Sequence, residues 1–240
     1  MAIYNSFERT TVIIREGRMK QLTFADRPRC DGKKRKRPGR KASPRAAVPH
    51  RKRPRHAAWN PLHITMRAIR GLPSFRQQRL FAAFERAFRM TRRDDFRIVE
   101  FSVQDNHVHL LVEAADKDAL ARGMKSFSVR ANRLFNTAFG RGRGPVWSDR
   151  YHRVDLTTPR QVRNALVYVL NNARKHGIIT TSALVIDAGS SARWFTGWKI
   201  ARTTRDGPRP TEHARTALLQ WLWQKHGLIH PCEAPGGWGR

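Results

Sequence analysis

The chain has 240 residues and a mass of 27.7 kDa, enough for one compact domain with tails or for two small domains. Lys and Arg number 48 against 18 Asp and Glu, and the resulting net charge of +30 argues against an ordinary metabolic enzyme and favours a polyanionic partner. Hydrophobic residues make up 40% of the chain, which excludes a bare disordered polycation. The sequence has two cysteines, no signal peptide and no apolar run near the roughly 18 residues of a membrane span, so we expect a cytoplasmic, nucleoid-associated protein with no membrane partner.

The first feature along the chain is a basic segment, residues 30–55. It holds five Lys and seven Arg against Asp31, a net charge of +11, together with four prolines and no hydrophobic periodicity. Such a segment cannot bury a core, so residues 1–57 are predicted to form a basic, largely disordered N-terminal arm. Two interpretations of the arm stay open, namely a solvated linker and a clamp for phosphate groups. Before it, only Thr11 to Ile14 resembles a strand.

Periodic patterns begin near residue 58. Alternation of apolar and polar residues predicts strands at 61–67, 96–103 and 107–113, the last two joined by a turn at 104–106. Apolar residues at helical spacing predict helices over 74–90 and 115–138. A fourth strand is predicted over 151–156.

A third helix is predicted to begin at Thr158 and Pro159, an N-cap residue followed by proline in the first turn, and to run to about His176. The order βαββαβ plus this helix predicts an α+β fold over residues 58–180. That fold is a ferredoxin-like or RRM-like antiparallel sheet with helices on one face. Residues 181–240 are expected to form a tail with a helix over 211–225.

Candidate metal ligands lie on the third predicted strand. His107 and His109 are two residues apart and project from one face of the sheet, whereas Val108, Leu110 and Val112 project into the core. Two imidazoles placed in this way can chelate a metal ion. Two ordinary surface histidines would give the same pattern.

The third predicted helix carries a polar stripe. Asn164, Tyr168, Asn172 and His176 follow one another at four-residue spacing. This stripe places Tyr168 beside Asn172, a possible third metal ligand. An unreactive tyrosine on the helix surface is the alternative interpretation.

These motifs resemble those of the single-tyrosine HUH transposases, and in particular the REP-associated tyrosine transposases. The strand QDNHVHLLVEA, residues 104–114, is similar to the family's His-hydrophobic-His motif, and Tyr168-Val-Leu-Asn-Asn172 is similar to its Tyr-x-x-x-Asn form. Gly144 to Trp147, Asp149 to Tyr151 and the strand 62–67 also resemble family segments. The chain departs from the family at Ala173, where many members have proline, and in its long basic arm.

The resemblance implies a reaction and its participants. Tyr168 would attack a phosphodiester of single-stranded, hairpin-bearing DNA and form a 5′-phosphotyrosine, which allows strand rejoining. His107, His109 and Asn172 would hold a divalent metal, Mg²⁺ or Mn²⁺. The protein is expected to act as a monomer or homodimer. A non-catalytic nucleic-acid-binding protein on the same fold is the alternative function.

Further residues are candidates for DNA contact through charge or stacking. They are His63, Arg67, Trp147, Arg150, Tyr151 and Lys175. Each has an ordinary alternative: a packed or hydrogen-bonded histidine at 63, solvated charges at the basic positions, and core packing for the two aromatic rings.

Overall fold

The structure is a computed structural model that describes residues 14–15, 18–19, 54–179, 184–200 and 207–236. The chain divides into two compact units, residues 1–45 and residues 46–240. In the first unit, strands β1 (Ile14–Arg15) and β2 (Arg18–Met19) pair antiparallel. Nearly all of the predicted basic arm lies outside the described residues. The limits 1–57, 58–180 and 181–240 stay predictions.

The second unit is built on a four-stranded antiparallel sheet. Its strands are β3 (Leu62–Arg67), β4 (Phe96–Val103), β5 (His107–Ala114) and β6 (His152–Asp155). Their spatial order is β4-β5-β3-β6, so β3 and β6, the first and last of these four strands in the sequence, pair with each other. With two crossover helices, this topology confirms the predicted ferredoxin-like fold.

Two long helices cover one face of the sheet. Helix α1 (Gln78–Met90) begins four residues later than predicted, because the Ser74 hydroxyl donates to the Asp105 carboxylate at 2.5 Å and ties this segment to the β4–β5 turn. Helix α2 (Lys117–Phe139) begins at the N-cap Asp116, whose side chain accepts two backbone N–H bonds, and ends at Gly140, which has the left-handed φ of 77° that glycine favours.

The side chains between these helices and the sheet form an aromatic core. Phe88 illustrates the packing: its ring lies 4.5 Å from that of Phe101 and 5.3 Å, stacked, from that of Phe127, measured between centroids. The alternate residues Leu62, Ile64 and Met66 of β3 join this core. Their neighbours His63, Thr65 and Arg67 therefore point to the other face.

The third helix lies on that other face. Helix α3 (Pro159–Leu170) has a full capping box, with Thr158 and Gln161 bonded reciprocally and proline at its start. It stops at Asn171 and continues as the short α4 (Asn172–Lys175), whereas the sequence predicted one uninterrupted helix to His176. The reason is that the Asn171 side chain donates to the carbonyls of His230 and Glu233 and so anchors the C-terminal segment.

Residues 184–236 complete the second face. Their apolar side chains pack with α3 and with Val99, which alternation from Phe96 and Ile98 places on this face, whereas a β-bulge at 98–100 returns Phe101 to the first core. The members from the tail are Ala192, Trp198, Leu218, Leu219, Trp223 and Ile229. The tail's helical content is smaller than predicted for 211–225: α5 (Ala217–Gln220) is followed by a 3₁₀ turn at Leu222–His226.

Three buried acidic residues hold this tail to the sheet. Asp187 accepts a two-pronged bond from Arg76, Glu100 pairs with Arg209, and Glu113 accepts from the backbone N–H groups of residues 215 and 216. Each bond joins segments more than 100 residues apart. In the ranges that the structure describes, no helix is long and apolar enough to cross a membrane.

Candidate active site

The centre of the second face is a pair of histidines on β5. His107 and His109 project from the same face, as predicted, and their ring centroids are 4.8 Å apart. Both are buried, with exposed fractions of 9% and 4%. The antiparallel register places His109 opposite Thr65 of β3 and His107 opposite Arg67.

Neighbouring side chains orient the two rings. The Nδ1 atom of His107 lies 2.8 Å from the Asn106 side-chain oxygen, which can only accept, so Nδ1 donates and Nε2 carries the lone pair of the neutral ring. The Nδ1 atom of His109 lies 3.1 Å from the Thr65 hydroxyl and 3.2 Å from Nε2 of His63. Its Nε2 is buried and has no hydrogen-bond partner. Such bonds to the far nitrogen are the usual way in which proteins orient a metal-binding imidazole.

Burial keeps these imidazoles neutral. Desolvation, followed by the charges of His176 and Arg67, lowers the pKa of His107 to about 4. Desolvation also lowers the pKa of His109 well below its usual value and that of His63 to about 4. Near pH 7 all three rings are therefore unprotonated, and only a neutral imidazole can ligate a metal.

Helix α3 brings Tyr168 to this cluster. The Tyr168 ring centroid is 5.0 Å from that of His109 and 5.7 Å from that of His63. The ammonium group of Lys175, one helical turn beyond Asn171, lies 4.5 Å from the centre of the Tyr168 ring. The His176 ring lies 5.4 Å from that of His107. The polar stripe of the helix therefore faces the histidines with its tyrosine in the middle.

Asn172, four residues after Tyr168, is fully buried, and neither its amide oxygen nor its amide nitrogen has a hydrogen-bond partner. Leaving one such buried group unpaired costs about 1–3 kcal/mol, so native proteins rarely keep one without a use. The orphaned atoms here are an amide oxygen and, on His109, an imidazole nitrogen.

This set of atoms fits a divalent cation. Two neutral imidazole nitrogens and one amide oxygen are ligand types that Mn²⁺ and Mg²⁺ accept, although both ions favour oxygen. Among the described residues, no group of three or more His, Cys, Asp or Glu side chains could hold a metal, and the Asn172 amide is the candidate for a third protein ligand beside the two histidines.

The other candidates for DNA contact fall into two groups. His63 and Lys175 contact the Tyr168 ring, and exposed Arg67 lies beside His107 across the strand pair. Trp147 and Tyr151 instead pack against the core of the α1–α2 face, and the Trp147 indole donates to the Ser128 carbonyl at 3.3 Å. Arg150 is half-buried. The surroundings of Trp147 and Tyr151 therefore fit core packing, the alternative interpretation given above for these two residues.

Sequence reasoning assigned no role to two residues that orient the histidines. Asn106 falls in the predicted turn at 104–106, and Thr65 falls in the predicted strand at 61–67. The position of Thr65 beside the histidines could be predicted, because alternation places it between His63 and Arg67 on the same face of β3. The bond from Asn106 to its own neighbour depends on turn geometry, which the sequence does not specify.

Comparisons with known proteins identify a family and a similar solved structure. Residues 62–172 match a family described as "Transposase IS200 like", which confirms the resemblance stated above. A solved structure of a REP-associated tyrosine transposase bound to a REP hairpin is 18% identical and superposes with a TM-score of 0.49, covering 70% of this chain and 99% of that one. None of the curated proteins matches the chain.

Proposed function

We propose, from the premise that residues 62–172 form a transposase domain of the IS200-like family, that the protein cleaves and rejoins single-stranded DNA through a covalent bond to Tyr168. The observation that carries this proposal is the contact of the Tyr168 ring with two neutral imidazoles, His63 and His109, together with the fully buried, unpaired Asn172 amide four residues further along the chain. A protein that only gripped DNA would have no use for these unpaired buried atoms.

Each group has a task in the proposed transesterification. The Tyr168 oxygen forms a bond to phosphorus while the bond from phosphorus to the 3′ oxygen breaks, which yields a 5′-phosphotyrosine and a free 3′-hydroxyl. The reverse reaction uses the stored phosphoester bond, so rejoining requires no nucleotide cofactor. Lys175, whose ammonium group lies over the Tyr168 ring, places positive charge beside the tyrosine as the phenol proton passes to the departing 3′ oxygen.

His107, His109 and Asn172 would hold the metal ion, Mg²⁺ or Mn²⁺. When bound, the ion supplies Lewis-acid polarisation of the phosphate. The chain's own contribution is to present these ligands in the correct state: burial keeps both imidazoles neutral, and Thr65 and Asn106 fix the direction in which each ring points.

Single-stranded DNA that carries a hairpin is the proposed substrate. The net charge of +30 supports a polyanion, and the family match supports DNA. The protein would act as a monomer or homodimer in the cytoplasm, associated with the nucleoid. The alternative is a retired transposase that binds nucleic acid without cutting it.

The decisive experiment replaces one oxygen. Tyr168→Phe keeps the ring, so DNA binding should stay within about twofold, whereas the covalent adduct with DNA labelled at its 3′ end should disappear on a denaturing gel. Tyr151→Phe is the matched control and should keep the adduct, and EDTA should abolish it in the unmodified protein. An adduct that survives in Tyr168→Phe would overturn the assignment. Absence of an adduct with every hairpin substrate and either metal would favour the binding-only alternative.

A further inference from the structure

A groove of about 630 Å³ lies on the outer surface of the helical layer, between the end of α1 and one side of α2. The residues that α2 contributes run from Arg122 to Leu134 at helical spacing, so they form one continuous face of that helix about 18 Å long. Helices α1 and α2 cover the sheet face opposite the histidines. The groove is therefore separate from the candidate active site.

The groove is strongly cationic. Five of its nine lining residues are Arg or Lys and none is acidic, so the lining attracts an anion. Asp95, outside the lining, accepts from Arg93 at 2.9 Å and from Arg122 at 2.7 Å, yet these two side chains are still 40% and 55% exposed. Lys125 and Arg133 are exposed and have no acidic partner among the residues that the structure describes. A ligand in solution can reach all four cations.

The same lining exposes aliphatic side chains. Met90 is 47% exposed and Val129 is 43% exposed. Val129 lies one helical turn after Lys125 and one turn before Arg133, so α2 presents a cation, an apolar group and a cation in a row. Exposed apolar surface with a charged rim is typical of a protein interaction site.

This combination distinguishes an acidic peptide from a nucleic acid. A nucleic acid offers phosphates to the cations, but its backbone has no large apolar group to cover Val129, and no lining residue is aromatic, so no ring is present on which a base could stack. A peptide with carboxylates around one large apolar side chain matches both parts of the lining. A groove about 18 Å long accommodates about five residues in extended conformation.

We propose that this groove docks a short acidic segment of a partner protein. One large aliphatic or aromatic side chain of the segment packs on Val129 and Met90, and its carboxylates lie beside Lys125 and Arg133. The inference goes beyond the proposed function, because the segment docks on the sheet face opposite Tyr168. The partner can therefore hold the protein while the candidate active site stays open to DNA.

The test uses the full-length protein and two fluorescent hexapeptides of equal charge, Asp-Glu-Leu-Phe-Asp-Asp and Asp-Glu-Ser-Ser-Asp-Asp. Fluorescence anisotropy at about 150 mM salt, which screens unspecific attraction, should show saturable binding of the first peptide, at least about tenfold tighter than that of the second. Val129→Ser should remove most of this difference and leave the affinity for a labelled dT oligonucleotide within about twofold. Lys125→Gln combined with Arg133→Gln should weaken binding of the first peptide by about fivefold.

Arg86→Gln combined with Arg89→Gln is the matched control, because both residues are exposed cations of α1 outside the lining. It removes the same charge and should leave the affinity for the first peptide within about twofold. Equal binding of the two peptides by the unmodified protein, or an equal loss in the control, would overturn the proposal. So would a groove variant that weakens binding of the oligonucleotide while Val129→Ser alters neither ligand, since the groove would then be a phosphate-binding surface. None of these measurements depends on DNA cleavage, so their outcome is distinct from a failure of the proposed function.

Discussion

The two faces of the central sheet differ in whether their buried side chains find suitable partners, either apolar contacts or hydrogen bonds. The face under α1 and α2 is packed with aromatic rings such as Phe75, Phe88 and Phe127, each almost fully buried against apolar neighbours. On the opposite face, the buried Nε2 of His109 has no hydrogen-bond partner, and the buried amide of Asn172, which follows α3, has none either. The same four strands serve both faces, because alternate side chains point to opposite sides. One face therefore supplies stability, and the other gives up some stability to keep reactive groups available.

The largest effect should come from the packed face. Phe88→Ala removes a ring that contacts both Phe101 and Phe127, and a buried Phe→Ala change typically costs about 3–5 kcal/mol. Urea unfolding should show a loss of that size in the free energy of unfolding. Arg86→Ala, an exposed change on the same helix, should stay within about 0.5 kcal/mol. Equal losses in the two variants would show that packing on this face is not the main source of stability.

The next effect concerns metal affinity. Thr65→Val keeps the shape of the side chain but removes the hydroxyl bonded to Nδ1 of His109. Loss of such an orienting bond typically lowers metal affinity by about 10–100-fold, whereas the melting temperature without metal should change little. Titration with Mn²⁺ measures the first quantity and thermal unfolding in EDTA the second. Thr137→Val, at an exposed position of α2, serves as the control, and an unaltered Mn²⁺ affinity in Thr65→Val would argue against the proposed ligand set.

The smallest effect has the opposite sign. Asn172→Leu replaces an unpaired buried amide by an apolar group of similar volume, so in EDTA the protein should become more stable by about 1 kcal/mol while DNA cleavage is lost. Its neighbour gives the contrast: the Asn171 amide donates to two carbonyls, and Asn171→Leu should destabilise the protein. Chemical unfolding of both variants measures the difference. A destabilised Asn172→Leu would mean that the amide is satisfied in solution.

Much of the packed face could be predicted from the sequence. The strands at 62–67, 96–103 and 152–155 lie within two residues of their predicted limits, because alternation and helical spacing report which side of an element is buried. The same alternation placed His107 and His109 together, and the four-residue spacing placed Tyr168 and Asn172 on one side of the third helix. The catalytic assignments themselves came from the family resemblance.

The arrangement of residues 184–236 could not be predicted in this way. The bonds that fix them, such as Glu113 to Thr216 and Glu100 to Arg209, join residues more than 100 positions apart, and no local pattern encodes them. The bulge at 98–100 is equally absent from the sequence pattern, because strict alternation from Phe96 and Ile98 would assign Phe101 to the second face, whereas the structure places it in the first core. Sequence reasoning therefore recovered the elements and missed the contacts that close the second face.

The packing of the C-terminal segment on that face has a consequence for biosynthesis. The strands and α3 leave the ribosome before residues 184–236 do. Val99, Leu166 and Val169 therefore lack the side chains that cover them until translation ends. A chain that stops early would keep this apolar surface exposed and become a target for proteases and chaperones. The fold thus links completion of the second face to completion of the polypeptide, so incomplete copies are removed before they accumulate.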